Sequence, residues 1–382
     1  MKPKAMTSKE RLWAAINLQA YDRVPVGFCL SWCAATNAGI SMADFANDCE
    51  VNFTACNKLF NDLGGLDFIP LFSFSPALMG VAMPMKQKLP GKELPPDSII
   101  QYHEQELMTP DDYDIVIAKG WRYYEQVHIF PRAHPEFSGP AGAIKLRGEM
   151  DEANRVTEKA RKLYSDKGVS FFDGVTAMPP FEILSMARSF GPFLLDLIRR
   201  PDKVIAAMDV MMAETLGSIS SQLKTSKYLF GNSPISRSAS TFISPAHFKK
   251  FVFPYIKQIA GLYMAANLTM VFHLDQNWLK FLPFFKELPE GKYIVELDGC
   301  TDIFEAKKIL GDRMCLMGDV PARLLKLGTA QEIEAYCRKL IDVVGKGGGF
   351  ILSSGCDVPS DAKFGNVKAM VDTARNYPPP GK

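Results

Sequence analysis

The stretch KYIVELDGCTDIFEAKKILGDRMCLMGDV, residues 292–320, combines two apolar runs with a helical pattern between them. The runs KYIVELDG (292–299) and MCLMGDV (314–320) are apolar on both faces, which is typical of parallel strands covered by helices. The intervening TDIFEAKKILGD (301–312) has a polar residue at its start and a glycine near its end, as a capped helix does. The stretch therefore predicts one strand–helix–strand unit.

Six more runs of the same kind occur along the chain, and most are followed by a turn residue and a helical pattern. Two of the helical patterns, 244–266 and 329–345, begin after a Ser or Thr that suits a helix N-cap. Eight such units predict an α/β fold, a (β/α)8 TIM barrel that forms a single domain over residues 1–382. The further predicted strands are RVPVGF (23–28), LDFIPLF (66–72), VSFFDGV (169–175), KYLFGN (227–232), LTMVFHLD (268–275) and GFILSSG (349–355).

The interval between strands 2 and 3 is far longer than the other connections. We interpret residues 75–165 as an insertion that forms a lid over the barrel mouth, with a small separate domain as the alternative. The aromatic run WRYYEQVHIF (121–130) is either part of that lid or a helix packed on the barrel.

Composition excludes several classes of protein. Of 382 residues, 47% are hydrophobic and 23% are charged, which is globular rather than disordered. The net charge of +2 gives no basic surplus for nucleic acid. The 26 Phe and 18 Met fit either plain core packing or a pocket for a flat apolar ligand. The first 18 residues lack the apolar run of a signal peptide, and no later stretch reads as a membrane span. Eight scattered cysteines without a CxxC pair indicate reduced thiols and a cytoplasmic protein.

In a barrel, chemistry is carried by the C-terminal ends of the strands. Three residue types there, His273, Glu296 and Cys356, are able together to hold Zn²⁺ and leave a fourth position open. A buried core histidine and a small buried thiol are the alternatives for His273 and Cys356. The full set of strand-end candidates is Asp173, Asn232, His273, Asp275, Glu296, Asp298, Asp319, Cys356 and Asp357.

Two other functions fit parts of this set. Cys356 in SSGCD would serve as a nucleophile with His273 as its base. A protein that only binds a corrinoid or tetrapyrrole at the barrel mouth would need no such set. No GxGxxG or GxxxxGK[ST] motif occurs, so the sequence offers no ready cradle for nucleotide phosphates.

Several motifs together resemble the uroporphyrinogen decarboxylase superfamily over nearly the whole chain after residue 7. They are TSKERLWAAINLQAYDRVPVG, FISPAHFKKFVFPYIKQI, VFHLDQNW, MGDVPARLLKLGT and GGGFILSSGCDVPSDAKFGNVKAM. The resemblance implies either a decarboxylase or a zinc methyltransferase that works with a corrinoid protein. The decarboxylases carry an Arg-rich segment after the first strand to grip carboxylates, whereas residues 27–45 here contain no Arg or Lys. This difference favours a methyltransferase.

Within that superfamily, His273, Glu296 and Cys356 resemble the metal ligands of the methyltransferases. Asp275 stands where thiol-alkylating members have their first Cys, so the fourth ligand is open; Asp275 is either a ligand or orients His273. A carboxylate in place of a thiolate makes zinc a harder Lewis acid and favours an oxygen substrate. The resemblance therefore implies transfer of a methyl group from a methoxylated aromatic to the cob(I)amide of a partner corrinoid protein. A methylcobamide:thiol methyltransferase and a decarboxylase are the alternatives.

Roles for the other strand-end residues follow from their position. Asp275 and Glu296 are the predicted catalytic carboxylates. Substrate contacts are predicted for Asn232, Arg237, Asp298 and Asp319; helix capping for the two aspartates and a surface ion pair for Arg237 are the alternatives. The direction of methyl transfer and a homodimeric state stay open, and neither nucleic acid nor a membrane is an expected partner.

Overall fold

The structure is a computed structural model that describes residues 5–70, 75–172, 174–225 and 228–378. Its strands are β1 (Phe68–Ile69), β2 (Lys86–Lys88), β3 (Gln101–His103), β4 (Ser170–Phe171), β5 (Gly174–Thr176), β6 (Phe230–Ile235), β7 (Thr269–Leu274), β8 (Tyr293–Leu297), β9 (Cys315–Val320) and β10 (Phe350–Ser354). The predicted strand residues 71, 72, 173 and 227 lie outside the described ranges.

Helices alternate with most of these strands. They are α1 (Ser8–Ile16), α2 (Trp32–Ala38), α3 (Met42–Asn47), α4 (Cys49–Asp62), α5 (Pro76–Val81), α6 (Asp112–Lys119), α7 (Trp121–Tyr124), α8 (Phe130–Ala133), α9 (Gly139–Asp166), α10 (Pro180–Ala187), α11 (Phe190–Arg199), α12 (Pro201–Thr225), α13 (Pro245–Phe251), α14 (Phe253–Ala265), α15 (Leu282–Phe285), α16 (Ile303–Leu310), α17 (Ala322–Leu327), α18 (Ala330–Val343) and α19 (Phe364–Asn376).

Six parallel strands form the main sheet, in the order β10-β9-β8-β7-β6-β5. Their residues are buried almost throughout, which explains why both faces of these strands are apolar in the sequence. A second, two-stranded parallel sheet pairs β1 with β4. The carboxyl ends of the six strands lie at one edge, so the residues that follow β7, β8 and β10 are brought to the same end of the molecule.

The first predicted strand, residues 23–28, does not form a regular strand in the structure. Among the described residues, Val26 forms only an isolated parallel bridge with Leu352 of β10, and the strand ladder does not close into a continuous ring. The cause lies in the sequence: Pro25 has no N–H to donate, and the Val26 N–H donates to the Asp67 carboxylate instead of to a neighbouring strand. Backbone hydrogen bonds still connect β10 to residues 25–27, and Val26 to Asp67.

Helix boundaries follow the predicted caps with one exception. Thr329 accepts from the Glu332 N–H in a reciprocal capping box before α18, and Ser244 caps α13. The predicted helix over 244–266 is two helices, broken at Val252. Pro254 explains the break, because a proline cannot donate the hydrogen bond that would continue α13.

Between β1 and β4 the chain forms α5, an antiparallel β2–β3 hairpin, and helices α6 to α9. The run 121–130 is helical, with a π-helical turn at Glu125–Ile129, and α7 packs against α12. The long helix α9 packs on α4, where Arg155 and Lys159 pair with Glu50. The sequence did not predict this hairpin, because strands of only three residues leave no clear pattern.

Helix α12 is long and apolar enough to cross a membrane by length and composition, a feature that the sequence analysis did not expect. It packs against α6, α7, α11 and α14 and buries a stripe of apolar residues. A core helix of a soluble protein meets the same criterion, so this helix is weak support for a membrane span.

Candidate metal centre

The register of the sheet sets three predicted residues at one edge. His273 of β7 pairs directly with Glu296 of β8, and side chains in register on parallel strands point to the same face. Asp275 lies two residues after His273, directly after the last residue of β7. Cys356 follows the end of β10, where its carbonyl accepts from the Ser354 hydroxyl at 2.6 Å.

These side chains surround the imidazole of His273. Its Nδ1 lies 2.6 Å from Oε2 of Glu296. Its Nε2 lies 3.4 Å from Oδ1 of Asp275 and 3.6 Å from Sγ of Cys356. One ligand atom each from His273, Asp275 and Cys356 lies within 4.8 Å of the other two. The structure thus brings together all four residues that the sequence predicted for the metal.

The donor set has the chemistry and the spacing of a zinc site. Imidazole nitrogen, carboxylate oxygen and thiolate sulfur are all zinc ligands. With bonds of about 2.0–2.1 Å to nitrogen or oxygen and about 2.3 Å to sulfur, tetrahedral ligand atoms lie roughly 3.3–3.6 Å apart. The observed separations of 3.4 Å and 3.6 Å from His273 Nε2 match this spacing. A divalent cation therefore fits the three side chains as they stand.

Glu296 occupies a different place from the one first expected of it. It is buried and its carboxylate contacts Nδ1, on the opposite side of the ring from Asp275 and Cys356. A carboxylate in this place fixes the tautomer and the orientation of a metal-binding histidine. In this geometry Asp275 is the third convergent ligand, and Glu296 supports the ring.

The charges around His273 are arranged for a cation. Burial opposes a charged ring, but the Glu296 and Asp275 carboxylates outweigh it and raise the pKa of His273 well above its ordinary value. Burial acts to raise the pKa of Asp275, but its contact with His273 lowers it overall. Burial raises the pKa of the Cys356 thiol despite the nearby imidazole. Without a metal, the centre therefore keeps a proton on His273, which a bound cation would replace.

Two side chains beside the centre gave no signal in the sequence. The Trp278 indole N–H donates to the Asp275 carbonyl at 2.7 Å. The Thr301 hydroxyl accepts from the Trp278 N–H at 2.9 Å and donates to the Gln276 carbonyl at 3.0 Å. Neither spacing nor residue type marks such a side-chain-to-backbone contact between two loops, so only the structure shows it.

Of the predicted substrate residues, Asn232 lies on β6, the strand next to β7. It is buried on β6, in register with Val271, so its side chain shares the sheet face of His273. Its Nδ2 has no hydrogen-bond partner among the described residues. A buried amide donor left unpaired is costly, and this one lies one strand away from His273 and about 6–7 Å along the strand.

Arg237 is engaged elsewhere. Its guanidinium donates to the Ser185 hydroxyl at 2.8 Å and to Glu104 at 2.6 Å, and it stacks over the Phe190 ring. Its backbone N–H donates to the buried Glu182 carboxylate at 2.8 Å. These contacts fix the loop after β6, and they hold the guanidinium on α10 and the β3–α6 connection.

The two remaining aspartates also accept hydrogen bonds from the protein. Asp298 accepts from the Gln276 and Cys300 backbone N–H groups. Asp319, at the end of β9, accepts from the Tyr336 hydroxyl at 2.8 Å, and burial raises its pKa to about 7. The predicted candidate Asp173 lies outside the described residues.

Asp357 follows Cys356, and its carboxylate contacts the side chains of Ser31 and Cys29, which precede α2. Asp357 lies close to Cys29, and burial together with that carboxylate raises the pKa of the Cys29 thiol. Asp357 also contributes, after burial, to the raised pKa of Tyr102 on β3.

The sequence matches the family model described as uroporphyrinogen decarboxylase over residues 147–377, more than half of the chain. The chain belongs to the uroporphyrinogen decarboxylase family. The match includes every residue of the metal centre, and it confirms the superfamily that the motifs predicted.

Members of this family with different activities resemble the chain about equally. A uroporphyrinogen decarboxylase from Coxiella burnetii is 24% identical over 141 residues, 35% of this chain and 37% of that protein. A methylcobamide:CoM methyltransferase MtbA from Methanosarcina mazei is 26% identical over 130 residues, 34% of this chain and 37% of that protein. The matched stretch thus spans little more than a third of each relative.

A solved structure agrees over almost the whole chain. A methyltransferase from Methanosarcina mazei superposes with a TM-score of 0.68 and 18% sequence identity, and the alignment covers 97% of this chain and 99% of that one. At this identity the likeness shows the fold alone. Together with the family match it confirms the TIM-barrel α/β fold of this family.

Proposed function

We propose that the protein is a zinc-dependent methyltransferase that takes a methyl group from a methoxylated aromatic and gives it to the cob(I)amide of a partner corrinoid protein. The observation that carries the proposal is the convergence of His273 Nε2, Asp275 Oδ1 and Cys356 Sγ at the separations of a zinc site. One relative of the chain, MtbA, is a methylcobamide:CoM methyltransferase, which supports methyl transfer that involves a cobamide.

The alternative of a uroporphyrinogen decarboxylase has weaker support. Residues 27–45, which run from the end of the first strand through α2 into α3, contain no Arg or Lys. A substrate with several carboxylates needs fixed cations near its binding site. Arg237, a nearby cation after β6, is paired with Glu104.

The ligand set supports an oxygen substrate. Asp275 supplies a carboxylate next to His273, so only one thiolate, that of Cys356, is present in the convergent group. A site with one thiolate is a harder Lewis acid than a site with two, and it suits an ether oxygen better than a thiol. When bound, zinc would supply the Lewis acid that stabilises negative charge on the departing phenolate oxygen.

The side chains of the chain itself would hold and orient the reactants. Glu296 keeps the His273 ring in one orientation through Nδ1. The unpaired Nδ2 of Asn232 offers a hydrogen bond to an acceptor on the substrate. The β2–β3 hairpin belongs to residues 75–165, and in this proposal that insertion forms the lid that excludes water from the mouth.

The proposal includes a corrinoid protein as partner, because the relative MtbA is a methylcobamide:CoM methyltransferase. The cob(I)amide is the strong nucleophile, and this chain supplies positioning for an in-line attack on the methyl carbon. Such an enzyme would work in the cytoplasm. A homodimer is compatible with this arrangement, but it is not required by it.

Metal analysis tests the centre. We expect about one zinc per chain in the wild-type protein and loss of zinc in Cys356→Ala and His273→Ala. Cys49→Ala is the matched control, since Cys49 is a thiol on α4, outside the convergent group. Zinc content that is the same in all four proteins would refute the proposed centre.

A donor screen tests the reaction. The protein is mixed with cob(I)alamin and a methoxyarene, and methylation of the corrinoid is followed by its change in absorbance. We expect methylation with the methoxyarene and none with Cys356→Ala. Alkylation of coenzyme M by methylcobalamin instead would favour the thiol methyltransferase, and release of carbon dioxide from uroporphyrinogen would favour the decarboxylase.

A further inference from the structure

The turn after β7 carries an unusual backbone conformation directly after a proposed metal ligand. Gln276 has φ +74°, in the left-handed region that residues with side chains rarely adopt. Asp275, immediately before it, carries the carboxylate that lies 3.4 Å from His273 Nε2. The direction in which the chain leaves Asp275 therefore depends on a strained residue.

The loop between β8 and α16 holds this turn. The Gln276 N–H donates to Asp298 Oδ2 at 2.7 Å, and the Thr301 hydroxyl donates to the Gln276 carbonyl at 3.0 Å. Both backbone polar groups of the strained residue Gln276 are thus bound by one neighbouring loop. A strained conformation persists where its surroundings determine it in this way.

The same loop fixes the next residues of the turn. The Trp278 N–H donates to the Thr301 hydroxyl, and the fully buried Trp278 indole N–H donates to the Asp275 carbonyl. Thr301 has no exposed surface, so its hydroxyl cannot exchange these partners for water. The turn from Asp275 to Trp278 therefore has one strongly favoured conformation.

The loop also touches the turn that carries Cys356. A methyl group placed on Gly355 would lie 2.4 Å from the Asp298 carbonyl oxygen, so Gly355 allows the two backbones to approach closely. One loop therefore contacts the chain beside two of the three convergent ligands, Asp275 and Cys356.

We infer that Asp298 and Thr301 are positioning residues that hold Asp275 at the metal, rather than residues that bind substrate. This inference rests on the proposed function, because it gives Asp275 the role of ligand. Loss of either side chain would release the turn and let Gln276 relax, and the Asp275 carboxylate would move away from His273. Residues that orient metal ligands typically change metal affinity about 10- to 100-fold when they are removed.

The test compares matched threonine variants by zinc affinity, measured in competition with a chelator. Thr301→Val removes the hydroxyl, and Thr301→Ser keeps it. Thr329→Val makes the same change at the N-cap of α18, where the hydroxyl pairs with Glu332 and not with the turn at Asp275. We expect about tenfold weaker zinc binding or more in Thr301→Val, and affinity close to that of the wild type in the other two. Asp298→Ala, with expected weakening of the same order, covers the case in which Thr301→Val does not fold.

A second readout separates positioning from general destabilisation. We expect the visible spectrum of bound Co²⁺ to change in Thr301→Val and Asp298→Ala, and to stay as in the wild type in Thr301→Ser and Thr329→Val. Wild-type affinity and an unchanged spectrum in Thr301→Val would overturn the inference, as would an equal loss in Thr329→Val. A wild-type protein that binds no metal would overturn the proposed function as well.

Discussion

The imidazole of His273 presents Nδ1 to Glu296, 2.6 Å from Oε2, and this contact directs Nε2 to the open side of the barrel mouth. The pair lies in register on two adjacent parallel strands. Because the two side chains leave the same face of the sheet side by side, the hydrogen bond forms without a loop to adjust it. The orientation of the ring is therefore built into the sheet.

We predict that Glu296→Gln weakens zinc binding about 10- to 100-fold without abolishing it. The amide keeps the shape of the carboxylate, but it loses the negative charge that makes the imidazole a stronger ligand. Affinity is measured by chelator competition, with Cys356→Ala as the reference for loss of a ligand. A loss in Glu296→Gln as complete as that in Cys356→Ala would mean that Glu296 binds the metal itself.

The sequence was sufficient to identify His273, Glu296 and Cys356, because the carboxyl ends of parallel strands meet at one edge of a sheet. It was not sufficient to assign their roles. Which ring nitrogen faces which carboxylate depends on side-chain rotamers and on the register of β7 with β8. The choice between Asp275 as ligand and as orienting residue depends on the turn at Gln276, whose partners lie more than 20 residues away.

Some elements of the fold were also predicted from the sequence, and others were not. Long apolar runs such as β8 and β9 were predicted nearly to the residue, since burial on both faces leaves a strong signal. The predicted strand over 169–175 is instead two short strands, β4 and β5, in different sheets. Nothing in a short aromatic run indicates where a strand leaves one neighbour for another.

We predict a pH-dependent contribution to stability from Asp319. Its pKa is raised by burial to about 7 in the folded protein, whereas an unfolded chain has an ordinary Asp value. As the pH rises from about 4 to about 7, the unfolded state loses the Asp319 proton while the folded state keeps it. The contribution of Asp319 to the free energy of unfolding therefore falls over this range. Asp319→Asn, which keeps an acceptor for Tyr336, removes this fall.

The measurement is the free energy of unfolding of both proteins in urea, from pH 4.5 to 7.5. We expect Asp319→Asn to gain stability relative to the wild type across this range, by up to about 3–4 kcal/mol. Asp361→Asn is the control, as Asp361 is an exposed partner of Lys326. Parallel curves for the wild type and Asp319→Asn would contradict the raised pKa.

We predict that Asp67→Asn destabilises the protein by about 1.5–3 kcal/mol, because it removes the negative charge that Arg11 and Arg23 share, whereas Arg11 keeps its pair with Asp22. The buried Asp67 carboxylate binds Arg11 at 2.7 Å and Arg23 at 2.7 Å, and it also accepts from the Val26 N–H. Thermal and urea unfolding measure the effect. Lys58→Ala breaks an exposed pair with Asp62 and is expected to leave the free energy of unfolding close to that of the wild type.

We predict that Arg237→Ala and Asn232→Ala separate structural from substrate roles. Arg237→Ala breaks the contacts with Ser185, Glu104 and Phe190, so we expect a lower melting temperature and an unchanged KM. Asn232→Ala removes an amide that has no protein partner for its Nδ2 among the described residues, so we expect a raised KM with little loss of stability. A raised KM in Arg237→Ala together with an unchanged KM in Asn232→Ala would instead show that Arg237 contacts the substrate.

The isolated bridge at Val26 leaves one long edge of β10 weakly tied to the rest of the molecule, and Cys356 follows directly from that strand. His273 lies three strands away, in the middle of the sheet. An ion bound by both side chains would therefore connect the loop after the edge strand β10 to the central strand β7. Slower amide exchange along β10 in the zinc-loaded protein than in the zinc-free protein would show that the metal also stabilises the junction between β10 and Val26.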